Sequence, residues 1–113
     1  MLIFKICHHD EWEAAERAGA YHGTAKDRQD GFLHFSTSEQ LIGTLEKWYA
    51  DADDLVLVAV DGDALGDALK WEKSRDGALF PHLYGTLPFS AVKWTSKIGR
   101  ETEGRFTLPS PLG

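Results

Sequence analysis

Apolar residues fall along this chain in short blocks with two different periods. Leu2-Ile3-Phe4-Lys5-Ile6-Cys7 is apolar except at Lys5 and predicts a first strand, placed centrally because nearly every position needs cover. Asp10, with Glu13 three residues on, has the spacing of a capping box. Trp12, Ala15 and Ala18 follow at helical spacing, and Gly19 suits the residue just past a helix end. Tyr21 to Gly31 is polar and turn-rich, closing on Asp30-Gly31. From Phe32 to Thr37 the period becomes two, as in a strand. Phe32, His34 and Ser36 then share one face, and Leu33 and Phe35 share the other, the core side. Ser36-x-x-Glu39 and Thr37-x-x-Gln40 are alternative capping boxes for a helix that starts at once. Leu41, Ile42, Leu45, Trp48 and Tyr49 give that helix its apolar face.

The second half reads mainly as strands. Leu55 to Val60 is continuously apolar, which predicts a strand buried on both faces. Asp61-Gly62-Asp63 reads as a turn, Ala68 to Lys73 as an alternating strand, and Ser74-Arg75-Asp76-Gly77 as another turn. Phe80 to Pro88 reads as a Pro- and Gly-bounded loop rich in large side chains. Ala91 to Ile98 predicts a late strand, and Gly104 to Leu108 a short edge. Strands outnumber helices, and both principal helices lie in the first half. That order predicts an α+β fold, not a doubly wound sheet.

Composition narrows the function classes. The 113 residues suit one domain over 1–113, with no repeat, linker or low-complexity tract. The net charge of −6 and the absence of a basic run argue against nucleic-acid binding, which draws on Lys and Arg at phosphates. The longest apolar run, Leu55 to Val60, is far too short to span a bilayer, so no membrane partner is expected. No signal peptide is visible at the N-terminus, and a cytoplasmic location is the default expectation. The single cysteine, Cys7, excludes an internal disulfide. It ends an apolar run, which favours a buried thiol over a nucleophile.

Three groups could carry chemistry. A strand that leads directly into a capped helix sets His34, Ser36 and Thr37 beside free helix-end N–H groups, a place that favours anions. An imidazole there can bond a ligand hydroxyl or shuttle a proton. The alternative is a hydrogen-bonded core histidine, with Ser36 and Thr37 only capping. The rings of Phe80-Pro81-His82-Leu83-Tyr84-Gly85 either clamp a ligand, with His82 and Tyr84 as polar tips, or cover the core. Glu72, beside Trp71, is either a tuned carboxylate or a solvent-face residue. His8 and His9 are adjacent and lack metal-ligand spacing. His34, His82 and Glu72 could form a two-histidine, one-carboxylate site, but no spacing requires it, and no metal is assigned. No Walker loop, Rossmann glycine pattern or nucleophile elbow is present.

Asp30 to Gln40, Leu69-Lys70-Trp71-Glu72 and Phe80 to Pro88 together resemble the small bacterial domain-of-unknown-function 952 family. The likeness extends to Ile3-Phe4-Lys5-Ile6 and Trp12. It implies the fold of the ADP-ribosylating-toxin and poly-ADP-ribose-polymerase superfamily: a bent, split, mainly antiparallel sheet with two principal helices. His34-Phe35-Ser36 is similar to the His-x-Ser or Thr pattern with which NAD-using members hold the adenosine-side ribose. The resemblance implies NAD as ligand or substrate, with no cofactor otherwise demanded. His34 and Glu72 would be catalytic, and Ser36, Thr37, His82 and Tyr84 would bind ligand. Tyr84 would stack on nicotinamide and Glu72 would serve its ribose. Glu72 precedes Tyr84, whereas those relatives place the carboxylate after the tyrosine. The implied activity is ADP-ribosyl transfer or NAD glycohydrolysis. The alternatives are a non-catalytic binding or regulatory module that keeps the pocket, a 2′-phosphotransferase-like enzyme acting on RNA ends, and a purely structural domain.

Overall fold

Six apolar residues in a row, Leu55 to Val60, need cover on both faces, and each is at most 5% exposed. The computed structural model describes residues 1–74, 77–101, 103–110 and 112. In chain order its elements are β1 (Leu2–His8), α1 (His9–Ala18), α2 (Ala25–Asp30), β2 (Leu33–His34), α3 (Leu41–Trp48), β3 (Leu55–Asp61), β4 (Leu69–Lys73), β5 (Leu79–Leu83), β6 (Val92–Arg100) and β7 (Phe106–Thr107). Short 3₁₀ segments occupy Ser38–Gln40, Gly62–Ala68 and Phe89–Ala91. The architecture is mixed α+β with antiparallel pairing.

The strands form two sheets, ordered β1-β3-β6-β7 and β2-β5-β4. The run Leu55 to Val60 lies in β3, between β1 and β6. One face of this larger sheet packs Ile3, Cys7, Val56, Val58 and Val60 with Trp12 and Ala15 of α1 and with Leu33 and Leu83 of the smaller sheet. The opposite face packs Phe4, Ile6, Leu55, Leu57 and Ala59 with Leu41 and Leu45 of α3. Ser36 joins the sheets: its N–H donates to the Phe4 carbonyl and the Phe4 N–H donates to the Ser36 carbonyl, both at 2.8 Å.

Several expectations are corrected. β1 lies at one end of its sheet, and its apolarity answers to layers on both faces rather than to strands on both edges. Helix α1 is capped by His8, not Asp10; the His8 N–H donates to Glu11 Oε1 at 3.0 Å. The His9 N–H donates to the Asp54 carbonyl at 2.8 Å, which ties the helix start to the chain entering β3. Asp10 then lies in the first turn, where a carboxylate suits the positive helix end. Ala18 is exposed, while Gly19 does adopt the left-handed stop, at φ 84°. The polar stretch 21–31 contains a third helix, α2, closed by a box between Thr24 and Asp27 and by Gly31 at φ 86°.

The helix after Ser36 begins with the Thr37–Gln40 box: the Thr37 N–H donates to Gln40 Oε1 at 3.0 Å. Of the apolar face expected for α3, Leu41 and Leu45 are buried, but Ile42 and Trp48 are exposed. Phe80 to Pro88 is not all loop. Its first part is β5, the middle strand of the smaller sheet. Pro81 lacks an N–H but still serves the ladder through its carbonyl, which accepts from Phe35 at 3.0 Å. Of the turn expected at 74–77, Arg75 and Asp76 lie outside the described residues. Cys7 is fully buried, and burial pushes its thiol up to about 12. No helix among the described residues is long and apolar enough to cross a membrane.

Candidate functional site

The smaller sheet divides its side chains by pleat. Leu33 and Leu83 pair across β2 and β5 and point into the core. The next pair in register, His34 and His82, therefore shares the opposite face. On the far side of β5, Glu72 is paired with Phe80, and the period of two sets Phe80 and His82 on one face. Phe32 and Tyr84 extend the same face beyond the strand ends. Phe32 lies at the middle of the group, with ring centroids 4.6 Å from His34, 4.1 Å from His82 and 5.2 Å from Tyr84. The two histidine rings are 5.4 Å apart and roughly edge to face.

Each histidine has a carboxylate at Nδ1. His82 Nδ1 is 2.8 Å from Glu72 Oε1, which also accepts the Tyr84 hydroxyl at 2.7 Å. Those two bonds, Tyr84 first, hold the Glu72 carboxyl below its ordinary range, and the same bond raises the Tyr84 hydroxyl. His34 Nδ1 is 2.6 Å from Asp27 Oδ1, which also accepts the His34 backbone N–H at 3.1 Å. His34 Nε2 faces Asp30 Oδ2 at 3.0 Å.

Asp27 is the hub of this corner. Its Oδ2 accepts the Thr24 N–H at 2.9 Å and lies 2.7 Å from the Lys5 ammonium. Both charged side chains are buried, Lys5 at 3% and Asp27 at 1% exposure. Burial alone would push the Asp27 carboxyl up. The hydrogen bond from His34, the charge and hydrogen bond of Lys5 and the Thr24 N–H outweigh it and hold the group well below the usual carboxylate range. Gly23 makes room for this hub. It has φ 100°, and a Cβ there would sit 2.5 Å from Leu33 Cδ2 and 2.7 Å from Asp27 Cβ.

A cleft of about 480 Å³ opens beside these groups. His34, His82 and Ser36 line it, with Phe32, Phe80 and Trp48 among its rings. Four lysines line it, Lys5, Lys26, Lys47 and Lys73, against two carboxylates, Asp27 and Glu39. Two of these lysines are already paired, Lys5 with Asp27 at 2.7 Å and Lys26 with Asp30 Oδ2 at 3.2 Å.

Residues 6–95 match the family described as protein of unknown function (DUF952). The chain belongs to that family. The DUF952 chain is similar to the crystal structure of protein CC0527 from Caulobacter crescentus, with 43% identity over 95% of this chain and 94% of that one, at a TM-score of 0.89. The solution NMR structure of CC0527 matches at 44% identity over 92% and 90% of the two chains, at a TM-score of 0.82. No curated protein matches.

Of the residues singled out in the DUF952 sequence, His34, Ser36 and His82 reach the cleft wall. Glu72 and Tyr84 join them through His82 and Phe32 but are not part of that wall. Thr37 is spent on the cap before α3. The Ser36 hydroxyl is buried and shares a 2.9 Å hydrogen bond with Thr44. His34, His82 and Glu72 do not bring their donor atoms together as a metal set. Among the described residues only His9, Asp10 and Glu13 do so, at the exposed start of α1.

Lys5, Asp27 and Asp30 belong to the site without being expected there from the sequence. Two signals were available for the first two: a lone lysine inside an apolar strand, and Thr24-x-x-Asp27 ahead of Gly31. No local signal joins them, because Lys5 and Asp27 meet only through the packing of β1 against α2.

Proposed function

We propose that the cleft binds a small ligand of the nucleotide class, a planar ring joined to a phosphorylated sugar, with NAD as one form. The observation that carries this reading is the pairing of lysines with aromatic rings in one cleft of an acidic chain. Rings such as Phe32 and Phe80 offer faces for a base, and lysines offer charge to phosphate. In this reading His34 and Asp30, both part-exposed, offer a donor and an acceptor to sugar hydroxyls. The volume suits a mononucleotide-sized ligand. The split pair of antiparallel sheets, joined at Phe4 and Ser36, supports assignment to the ADP-ribosylating superfamily.

Between ribosyl transfer and binding, the position of Glu72 favours binding. Its Oε1 is taken by His82 and Tyr84, and the residue stands off the cleft wall. In this reading Glu72 is a positioning residue for His82, not the reacting carboxylate.

Titration calorimetry with AMP, adenosine and NAD at millimolar concentrations tests the proposal. AMP is expected to bind more tightly than adenosine, and added salt should narrow the gap. Absence of heat and of amide chemical-shift change with both AMP and NAD would remove the reading.

A further inference from the structure

We infer that His34 and His82 form an acid–base pair that hydrolyses a cyclic phosphodiester of a nucleotide. The inference rests on the nucleotide reading of the cleft and adds a reaction to it. Its basis is the doubling of one arrangement. Two histidines in register on adjacent strands, with rings 5.4 Å apart, each have a carboxylate at Nδ1 and each line the same cleft. A carboxylate at Nδ1 fixes the ring and its tautomer, leaving Nε2 as the working nitrogen.

The two pairs are not equivalent. His34 has carboxylate oxygens at both nitrogens, Asp27 at Nδ1 and Asp30 at Nε2. Carboxylate oxygens only accept, so each of these contacts suits a ring nitrogen that carries a proton. His82 has its carboxylate contact at Nδ1 alone, which suits Nε2 to accept a proton. The fixed charges and titrating groups facing the two rings are Asp27 and Asp30 from α2, Lys70 and Glu72 from β4, and Tyr84, with Lys5 of β1 behind Asp27 and Lys26 of α2 paired to Asp30. His34 is therefore the acid and His82 the base.

The attacking group is water. The Ser36 hydroxyl is held by Thr44, and Cys7 is buried away from the cleft in the core. In the reaction a water oxygen attacks phosphorus while His82 Nε2 takes the water proton. The bond from phosphorus to one ring oxygen breaks, and that oxygen takes its proton from His34 Nε2. The products are a phosphomonoester and a free hydroxyl. Exchange with solvent returns each histidine to its starting form. Asp30, 31% exposed, is the partner that a leaving oxygen replaces at His34. The cleft-wall lysines other than Lys5, which is spent on Asp27, answer the charge that builds on the non-bridging oxygens.

The test is incubation of the intact protein with 2′,3′-cyclic AMP, read by phosphorus NMR, beside calorimetry with AMP. Expected are a monoester product, a bell-shaped pH dependence of rate, and a loss of about 100-fold or more in both His34→Gln and His82→Gln. AMP affinity, measured beside the rate, should fall far less than the rate does in both variants. If AMP binds the parent protein and the cyclic ester is not hydrolysed, the acid–base assignment falls and the binding reading stands. If neither nucleotide binds, both fall. Turnover that survives either substitution also overturns the pair. Should a variant fail to fold, the parent protein decides: AMP bound with no monoester formed from the cyclic ester overturns the pair.

Discussion

Lys5 and Asp27 form an ion pair of 2.7 Å in which both side chains are almost wholly buried. Such a pair costs desolvation on both sides and is held by its surroundings: Thr24 and His34 satisfy what Lys5 leaves of the carboxylate. It fastens α2 to β1 and sets the ring of His34 at the same time. The corner therefore links stability of the fold to geometry of the site.

Asp27→Asn should destabilise the protein by about 3–5 kcal/mol, because it leaves the Lys5 ammonium buried without its counter-charge. Adding Lys5→Met should recover part of that loss. Urea unfolding of both variants measures it, and a parent-like midpoint for Asp27→Asn alone would contradict the account.

The same carboxylate sets an acid limb. Its folded value lies below the unfolded one, about 3.9. The contribution is thus fully present above about pH 4 and is lost as the pH falls towards the folded value. The stability gap between the parent and Asp27→Asn should be widest near neutrality and close below about pH 4. Urea midpoints taken across that range would show a constant gap if Asp27 were not the group responsible.

Two glycines should respond in opposite ways to alanine. Gly23→Ala forces a left-handed residue and a methyl group onto Asp27 and Leu33, at a cost of at least about 2 kcal/mol. Gly43 lies within α3 and lines the cleft, with nothing within 4 Å of its missing Cβ. Gly43→Ala should stabilise by about 0.5–1 kcal/mol while its methyl intrudes on the ligand space. Thermal melts of the pair, with AMP titration of the second, separate the effects.

Tyr84→Phe removes the leading hydrogen bond that holds Glu72 below its ordinary range. The Glu72 carboxyl should then titrate at higher pH, with His82 still paired to it. Carbon-detected NMR titration of the side chain reads this directly; an unmoved titration would mean that the hydroxyl contact is absent in solution.

Much of the fold was legible because the period of apolar residues reports burial directly. The doubly buried β3, the exposed stop at Gly19, the late strand β6 and the short edge β7 all follow from local pattern. The failures share a cause. In α2 a short, polar helix has little apolar face to announce it, and its cap lies in side-chain hydrogen bonds. In β5 the Pro81 that signals a loop lies where only its carbonyl is needed. Trp48 follows the helical period of a core face yet opens onto the cleft.

His34, Ser36 and His82 were visible as candidates from residue type and from the run of strand into capped helix. Residue types and periods were enough to tell which residues could act, the family, and that Phe32 and His34 look away from the core, whereas Ser36, expected on the same face, is buried under α3. They could not determine the partners of these residues. Asp27 is seven residues from His34, Lys5 is twenty-two from Asp27, and Glu72 is ten from His82. Only the packing of β1 on α2 and the register of β2, β5 and β4 decided those contacts. Hydrogen bonds and ion pairs act over a few ångströms of space, and one-dimensional spacing carries no record of distances that folding alone creates.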